Sequence, residues 1–446
     1  MAVARPQGPQ GPQGVGLVTF YRTYARQITV ETKPAVTRRA MRLWEYEYFS
    51  YADSSLEWVE DMDGDDEVVR EAEVESRLET FEECIDRCLK ACNTQLGCGF
   101  NEAELAEYRG LLLGMKCSMA GRFMWQLGTE TVDRFGLLSL QNCAAAEVAN
   151  PVVFYCWLFD CLMLGAGVGY TLTKEVIAKI AGTVQPLRLT RIHEPCDTAG
   201  IRAWSEFTMN SPETHFYLDD AGRAVLFVAD KRDGWVQLLR AIIASHFPDS
   251  AQEAGLGSLS CRELCFNTVG IRPHGVKIKK FGGVASGPET LAWGVAEINR
   301  ICNEAAGQRP KSVLLLDIAN IVGHIVVSGN VRRSAQIALG SPDDAEYLAA
   351  KRWDLGGVPF YRSYSNNSVA VSTVDDLPEE FWQGYAGNGE PYGLVNLPLC
   401  REYGRVATTE FLGRDVVISD RKPDPRVVGM NPCCEYDGWR LWRVAA

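Results

Sequence analysis

From residue 115 onward the sequence falls into short apolar runs broken by glycine, alternating with stretches of helical spacing. No other feature narrows the possible folds as much. A strand buried on both faces reads as a short, nearly continuous apolar run, and a helix between two such strands returns the second parallel to the first. The pattern therefore predicts an α/β core. Two longer apolar stretches belong to the same pattern. Val152 to Leu172 contains Asp160 and three glycines, and Val313 to Val327 contains Asp317, Asn320 and His324, so both are read as buried core segments and not as membrane spans. Helices are expected from Glu289 to Ala305 and from about Ser312 to Val327. Short strands are expected near Ser368 to Ser372 and Gly393 to Leu397.

The chain before this core reads differently. Residues 1–15 carry three Pro-Gln-Gly tripeptides, too few for a collagen helix, and are expected to form a flexible tail. Residues 16–114 are expected to form a mainly helical region, with helical spacing from Val68 to Leu113. The acidic run Asp61 to Asp66 resembles a calcium loop, but no glutamate follows at the closing position, so it reads as a solvated loop. Cys84, Cys88 and Cys92 lie four residues apart, on one helical stripe. With Cys98 they could be considered as a metal set, but three thiols on one stripe are more often small core residues, and no metal is assigned. Residues 115–446 hold the α/β core, with the less regular stretch 174–276 as a probable insertion.

Charge and cysteine content bound the partners. The net charge is −12 at a pI near 5.1, which disfavours a surface coating a DNA or RNA polymer but leaves free nucleotides possible. The 15 cysteines follow no charged and apolar leader, so they read as reduced thiols in a cytoplasmic protein, a few of them available for catalysis.

Three segments are candidates for chemistry. Gly165-Ala166-Gly167-Val168-Gly169 has its third glycine too early for a dinucleotide loop, and a close-packed turn between elements is the better reading. Arg332-Arg333, followed by Ser334 on a glycine-flanked turn, offers guanidinium forks to a phosphate or base edge, or forms a surface ion pair. Asn431-Pro432-Cys433-Cys434-Glu435 is the most informative. On extended backbone, residues two apart face the same side, so the amide of Asn431, the thiol of Cys433 and the carboxylate of Glu435 would converge. Pro432 stiffens the segment.

In order along the chain, Phe20 to Arg26, Gly121 to Trp125, Gly128 to Glu130, Gln141-Asn142-Cys143 and the Gly165 to Gly169 run resemble one known family. So do Asp233 to Val236, the turns Gly282 to Pro288 and Gly329 to Ala335, Asn366 to Val369, and Asn431 to Glu435. That family is the monomeric adenosylcobalamin-dependent ribonucleoside-triphosphate reductases. The resemblance implies an α/β barrel of ten strands, of the ribonucleotide reductase and glycyl-radical type, made of two parallel five-stranded halves and incomplete here. It implies reduction of ribonucleoside triphosphates to deoxynucleotides, with adenosylcobalamin as the radical source. Cys433 matches the thiyl-radical residue, on a loop buried inside the barrel. Glu435 matches the carboxylate that takes the 3′-hydroxyl proton, and Asn431 the amide that orients the substrate hydroxyls. Cys143 matches one of two thiols that reduce the 2′ position. Asn142 and Gly167 fall at the substrate, and Arg332, Arg333 and Ser334 on the loop that reports a deoxynucleotide effector.

The same resemblance makes thioredoxin or a similar dithiol the reductant and a monomer the complete form, with 174–276 imitating a dimer partner. The second reducing thiol and the rest of the barrel lie beyond this sequence, so the chain is expected to need a C-terminal half. A split or truncated gene, an intein starting at Cys433 or Cys434, or a frameshift would each account for its end. Cys434 departs from the family, which has a small residue there. Two alternatives stay open. One is a catalytic subunit served by a separate radical-generating protein, and the other is a non-catalytic nucleotide-binding remnant.

Overall fold

The computed structural model describes residues 20–21, 25–33, 36–39, 67–70, 73–192, 214–218, 223–276, 285–328, 334–387, 389–403, 423–425 and 427–433. The tail 1–15, the acidic run 61–66, Arg332, Arg333, Cys434 and Glu435 lie outside them. The chain divides into two compact units, Met1–Leu140 and Gln141–Ala446.

In the first unit, β1 (Gln27–Lys33) pairs antiparallel with β4 (Glu73–Leu78), and β2 (Val36–Arg39) with β3 (Glu67–Arg70). Residues 67–70 and 73–78 are thus strand where a helix was expected from Val68 onward. The run Glu73-Val74-Glu75 alternates charge and β-branched side chain at period two, which favours extended chain over a 3.6-residue repeat. Helix begins only at α1 (Phe81–Thr94), where Thr80 caps the backbone of Glu83 and Glu83 caps Thr80 in return. Asn101 and Glu104 start α2 (Glu102–Leu113) in the same way. One stripe of α1 buries Cys84, Cys88 and Cys92 against Phe20, Met124 and Leu127. Burial pushes the Cys92 thiol up to about 11, as expected of a thiol serving as a core residue. The short helices α3 (Gly121–Gln126) and α4 (Glu130–Phe135) also fall in this unit, which runs to Leu140.

In chain order the second unit contains β5 (Cys143–Glu147), α5 (Pro151–Met163), β6 (Gly167–Thr171), α6 (Lys174–Ala178), β7 (Arg188–Ile192), β8 (His215–Leu218) and β9 (Ala224–Phe227). It continues with α7 (Arg232–His246), α8 (Pro248–Glu253), β10 (Glu263–Asn267), α9 (Glu289–Glu304), α10 (Ser312–Val327), β11 (Gln336–Gly340) and α11 (Ala345–Ala349). Then come β12 (Asn366–Val371), α12 (Glu379–Ala386), β13 (Gly393–Asn396) and α13 (Leu397–Tyr403). Its core is a five-stranded sheet, all parallel, in the order β13-β12-β11-β6-β5. Strands adjacent in space are consecutive among the sheet's own strands, as in one half of the expected barrel. All five residues of β6 and of β11 are buried, which accounts for their largely apolar character.

Helix α5 joins β5 to β6. Asn150 caps its first turn through Val153 N, and Pro151 occupies a position where a missing N–H costs nothing. Tyr155 on this helix donates to the carbonyl of Leu315 at 2.8 Å, tying α5 to α10. Helix α10 spans the predicted residues. It is apolar nearly all round because it is buried on nearly every side. Its one buried carboxylate, Asp317, is held by both arms of Arg362. The stretch 174–276 carries a sheet of its own, in the order β7-β10-β9-β8, with β7, β10 and β9 parallel and β8 antiparallel. No helix among the described residues is long and apolar enough to cross a membrane.

Candidate active site

The site is assembled on one face of β6. The register pairs Cys143 with Gly167, Ala145 with Gly169 and Glu147 with Thr171. Alternate residues of a strand share a face, so Gly167, Gly169 and Thr171 point the same way. Segment 427–433 lies across that face. A Cβ on Gly169 would stand 1.7 Å from the Met430 carbonyl oxygen, and one on Gly167 would stand 3.1 Å from Pro432 Cγ and 3.2 Å from Cys143 Sγ. Thr171 Oγ1 donates to the Val428 carbonyl at 2.6 Å. Residues 428, 430 and 432 thus meet 171, 169 and 167 in turn, so the segment runs back along β6 against the strand direction. Only a strand face without side chains lets a backbone come this close.

That path delivers Cys433 to the start of β5, where its Sγ lies 3.1 Å from Cys143 Sγ. Asn431 is buried, 3% exposed, and its Oδ1 accepts the Cys433 N–H at 3.0 Å. This side-chain turn fixes the direction in which the thiol leaves the backbone. Cys433 itself is exposed among the described residues, whereas the resemblance implies burial inside a barrel.

The remaining expected residues fall around this point. Exposed Asn142 precedes β5, and its carbonyl accepts the Gly167 N–H at 2.8 Å. Ser334 Oγ accepts from Gln336 Nε2 at 3.0 Å just before β11. Its neighbour Ala335 accepts the Val168 N–H at 2.8 Å, and its Cβ is 3.4 Å from the missing Cβ of Gly167. The structure therefore brings Cys143, Gly167, Asn431 and Cys433 together and sets Ala335, next to Ser334, against Gly167. Arg332, Arg333 and Glu435 lie outside the described residues.

The glycine run corrects one expectation. Only Gly165 makes the turn, at φ 79° just after α5, while Gly167 and Gly169 are strand residues kept bare for the crossing segment. Thr171 was missed as a site residue. Its signal was available, since it continues the i, i+2 series from Gly167 and Gly169. Thr171→Val should cost about 1–3 kcal/mol in denaturant unfolding, because it keeps the β-branched shape and leaves the Val428 carbonyl unsatisfied. Thr171→Ser should restore most of the loss. Equal stability of both variants to the parent would show that the bond contributes nothing.

Comparison with known proteins finds similarity to one family. The family model for the B12-dependent ribonucleotide reductase, insertion domain, matches residues 205–302, which overlap the expected insertion but extend beyond it. The adenosylcobalamin-dependent ribonucleoside-triphosphate reductase of Lacticaseibacillus paracasei is 34% identical over 346 residues, 73% of this chain and 44% of that protein. Its namesake from Lactobacillus gasseri is 32% identical over 359 residues, 75% and 45%. That from Lactobacillus leichmannii is 31% identical over 373 residues, 75% and 48%. A solved structure, described as the crystal structure of a B12-dependent (class II) ribonucleotide reductase, matches with a TM-score of 0.64 at 25% identity. The match covers 93% of this chain and 52% of that one. The chain spans about half the length of the curated relatives it matches. Over the length they share, the chain resembles the B12-dependent ribonucleotide reductases in both sequence and fold.

Proposed function

We propose that this chain supplies the radical thiol and one reducing thiol of an adenosylcobalamin-dependent ribonucleoside-triphosphate reductase, making deoxynucleotides for DNA synthesis. The observation that carries the reading is the 3.1 Å approach of Cys143 and Cys433, on a segment that the glycines of β6 are shaped to receive. Two thiols 290 residues apart in sequence meet there.

The donor set fits the cofactor's task, because the Cys433 S–H is exposed and a thiol readily yields a hydrogen atom to a carbon radical. Bound adenosylcobalamin would supply the one-electron oxidising equivalent. The chain's own residues do the rest. Cys433 removes the ribose 3′ hydrogen and later returns it. Asn431, already holding the Cys433 N–H, orients the substrate hydroxyls. Cys143 delivers a hydrogen equivalent towards the 2′ carbon as its hydroxyl leaves, ending oxidised with the second reducing thiol, and a dithiol such as thioredoxin restores the pair. Glu435 takes the 3′-hydroxyl proton. Asn142 and Gly167 flank the sugar. The turn holding Arg332, Arg333 and Ser334 senses a deoxynucleotide effector, and Ala335 passes its position to Gly167. The insertion stands in for a partner subunit in a cytoplasmic monomer, and the C-terminal half contributes the second thiol.

The test is deoxynucleotide formation by the complete reductase from ribonucleoside triphosphate, adenosylcobalamin and dithiol. It is followed alongside a spectral change of the cobalamin that requires protein and nucleotide together. Cys433→Ser should abolish both. Cys143→Ser should abolish product and keep the spectral change. Undiminished product from Cys433→Ser would overturn the reading.

A further inference from the structure

We infer that Cys143 and Cys433 form a redox-modification site of their own, closing into a direct disulfide that takes the radical-position thiol out of service until a dithiol reopens it. The inference goes beyond the proposed catalytic cycle, where Cys143 pairs with a different thiol. The two sulfurs are 3.1 Å apart, and a disulfide bond of about 2.0 Å needs an approach of roughly 1 Å. Cys433 sits on a loop whose path is set by the Thr171 bond and the Asn431 turn, so the sulfurs are presented to each other and not found by chance collision. A Cβ on Gly167 would stand 3.2 Å from Cys143 Sγ, so the bare glycine leaves room beside that sulfur.

A small-molecule disulfide is the oxidant. The exposed Cys433, as thiolate, attacks one sulfur of the small disulfide, forming a mixed disulfide and expelling one small thiolate. The half-buried Cys143, as thiolate, then attacks Cys433 Sγ and expels the second. Two protein thiols are oxidised, one small disulfide is reduced to two thiols, and the protons leave with the products. The order follows exposure, because Cys433 is the more accessible sulfur. The linked state holds no S–H at position 433, so it blocks radical formation and shields both thiols from deeper oxidation.

The experiment treats the folded chain with oxidised glutathione, alkylates the remaining thiols, digests it and searches by mass spectrometry for a peptide joining Cys143 to the 433–434 segment. The link should appear in the parent chain with loss of two alkylatable thiols, and should disappear on adding dithiothreitol. Cys434→Ser should keep it. Cys433→Ser and Cys143→Ser should each remove it, the second variant serving if the first fails to fold. No linked peptide from the native parent, or a link that survives Cys433→Ser through Cys434, would overturn the inference. Neither nucleotide nor cobalamin enters the assay, so its failure is separate from failure of the proposed function.

Discussion

Gly169→Ala is expected to disable the site while both units stay folded. The new methyl would lie 1.7 Å from the Met430 carbonyl oxygen, 2.7 Å from its carbon and 3.0 Å from Asn431 Cα. Contacts under 3.0 Å are essentially never seen for a real Cβ, and all three atoms belong to backbone, so no rotamer change relieves them. The segment must lift from β6 by about 1 Å, a displacement of reacting groups that costs on the order of a hundredfold in turnover. The stability cost should be about 1–3 kcal/mol, the usual range for overpacking. Gly167→Ala is the graded control. Its methyl would meet Pro432 Cγ at 3.1 Å, Cys143 Sγ at 3.2 Å and Ala335 Cβ at 3.4 Å, all side-chain atoms far enough away that shifts of tenths of an ångström suffice. Turnover of the complete reductase and the yield of the Cys143–Cys433 link should therefore fall far more for Gly169→Ala than for Gly167→Ala. Equal loss in the two variants would mean that the backbone of 427–433 is not held on β6 as described.

This pair of glycines shows where the sequence could be read and where it could not. Buried strands and helices announce themselves locally, so α9 and α10 fall within a residue of expectation, and β12 and β13 within two. The first unit defeated the same approach, because β3 and β4 are short and rich in charge, and the helical signal beginning at Thr80 spread backwards over them. The sheet within 174–276 was missed for a related reason, since its strands are only four or five residues long. At the site the difficulty is distance along the chain. Gly167 and Gly169 look like a turn until the segment that crosses them is known, and Thr171 reaches a carbonyl 257 residues away. Family resemblance named Cys143, Asn431 and Cys433 in advance. Local pattern alone gave no reason to place the first beside the last.

The Arg362–Asp317 pair extends the same logic to the framework behind the site. Arg362→Ala is expected to cost about 3–5 kcal/mol, the loss typical of breaking a buried ion pair from one side. Asp317 is 6% exposed on α10, and both its oxygens accept from Arg362, at 2.6 and 2.7 Å. Arg362 also donates to the Ala350 carbonyl at 2.7 Å, so truncation strands a second acceptor. Burial already pushes the Asp317 carboxyl up, and Arg362 opposes that rise. Without the guanidinium the carboxyl rises further, so the folded state binds the proton more tightly than the unfolded chain. The deficit should then be largest near neutral pH and shrink as pH falls through the raised value towards the ordinary carboxylate range. Urea unfolding at about pH 7 and about pH 5 reads this directly. Replacing both partners, Asp317→Leu with Arg362→Met, should recover most of the loss, since no charge is then buried alone. A variant Arg362→Ala within about 1 kcal/mol of the parent at both pH values would show that the pair is solvated in solution. The consequence reaches function through connectivity. Ala335 follows helix α10 by eight residues in the chain, and it packs beside Gly167 and accepts the Val168 N–H. A loosened α10 should therefore blur the position of Cys143 and Cys433 even though Arg362 touches neither.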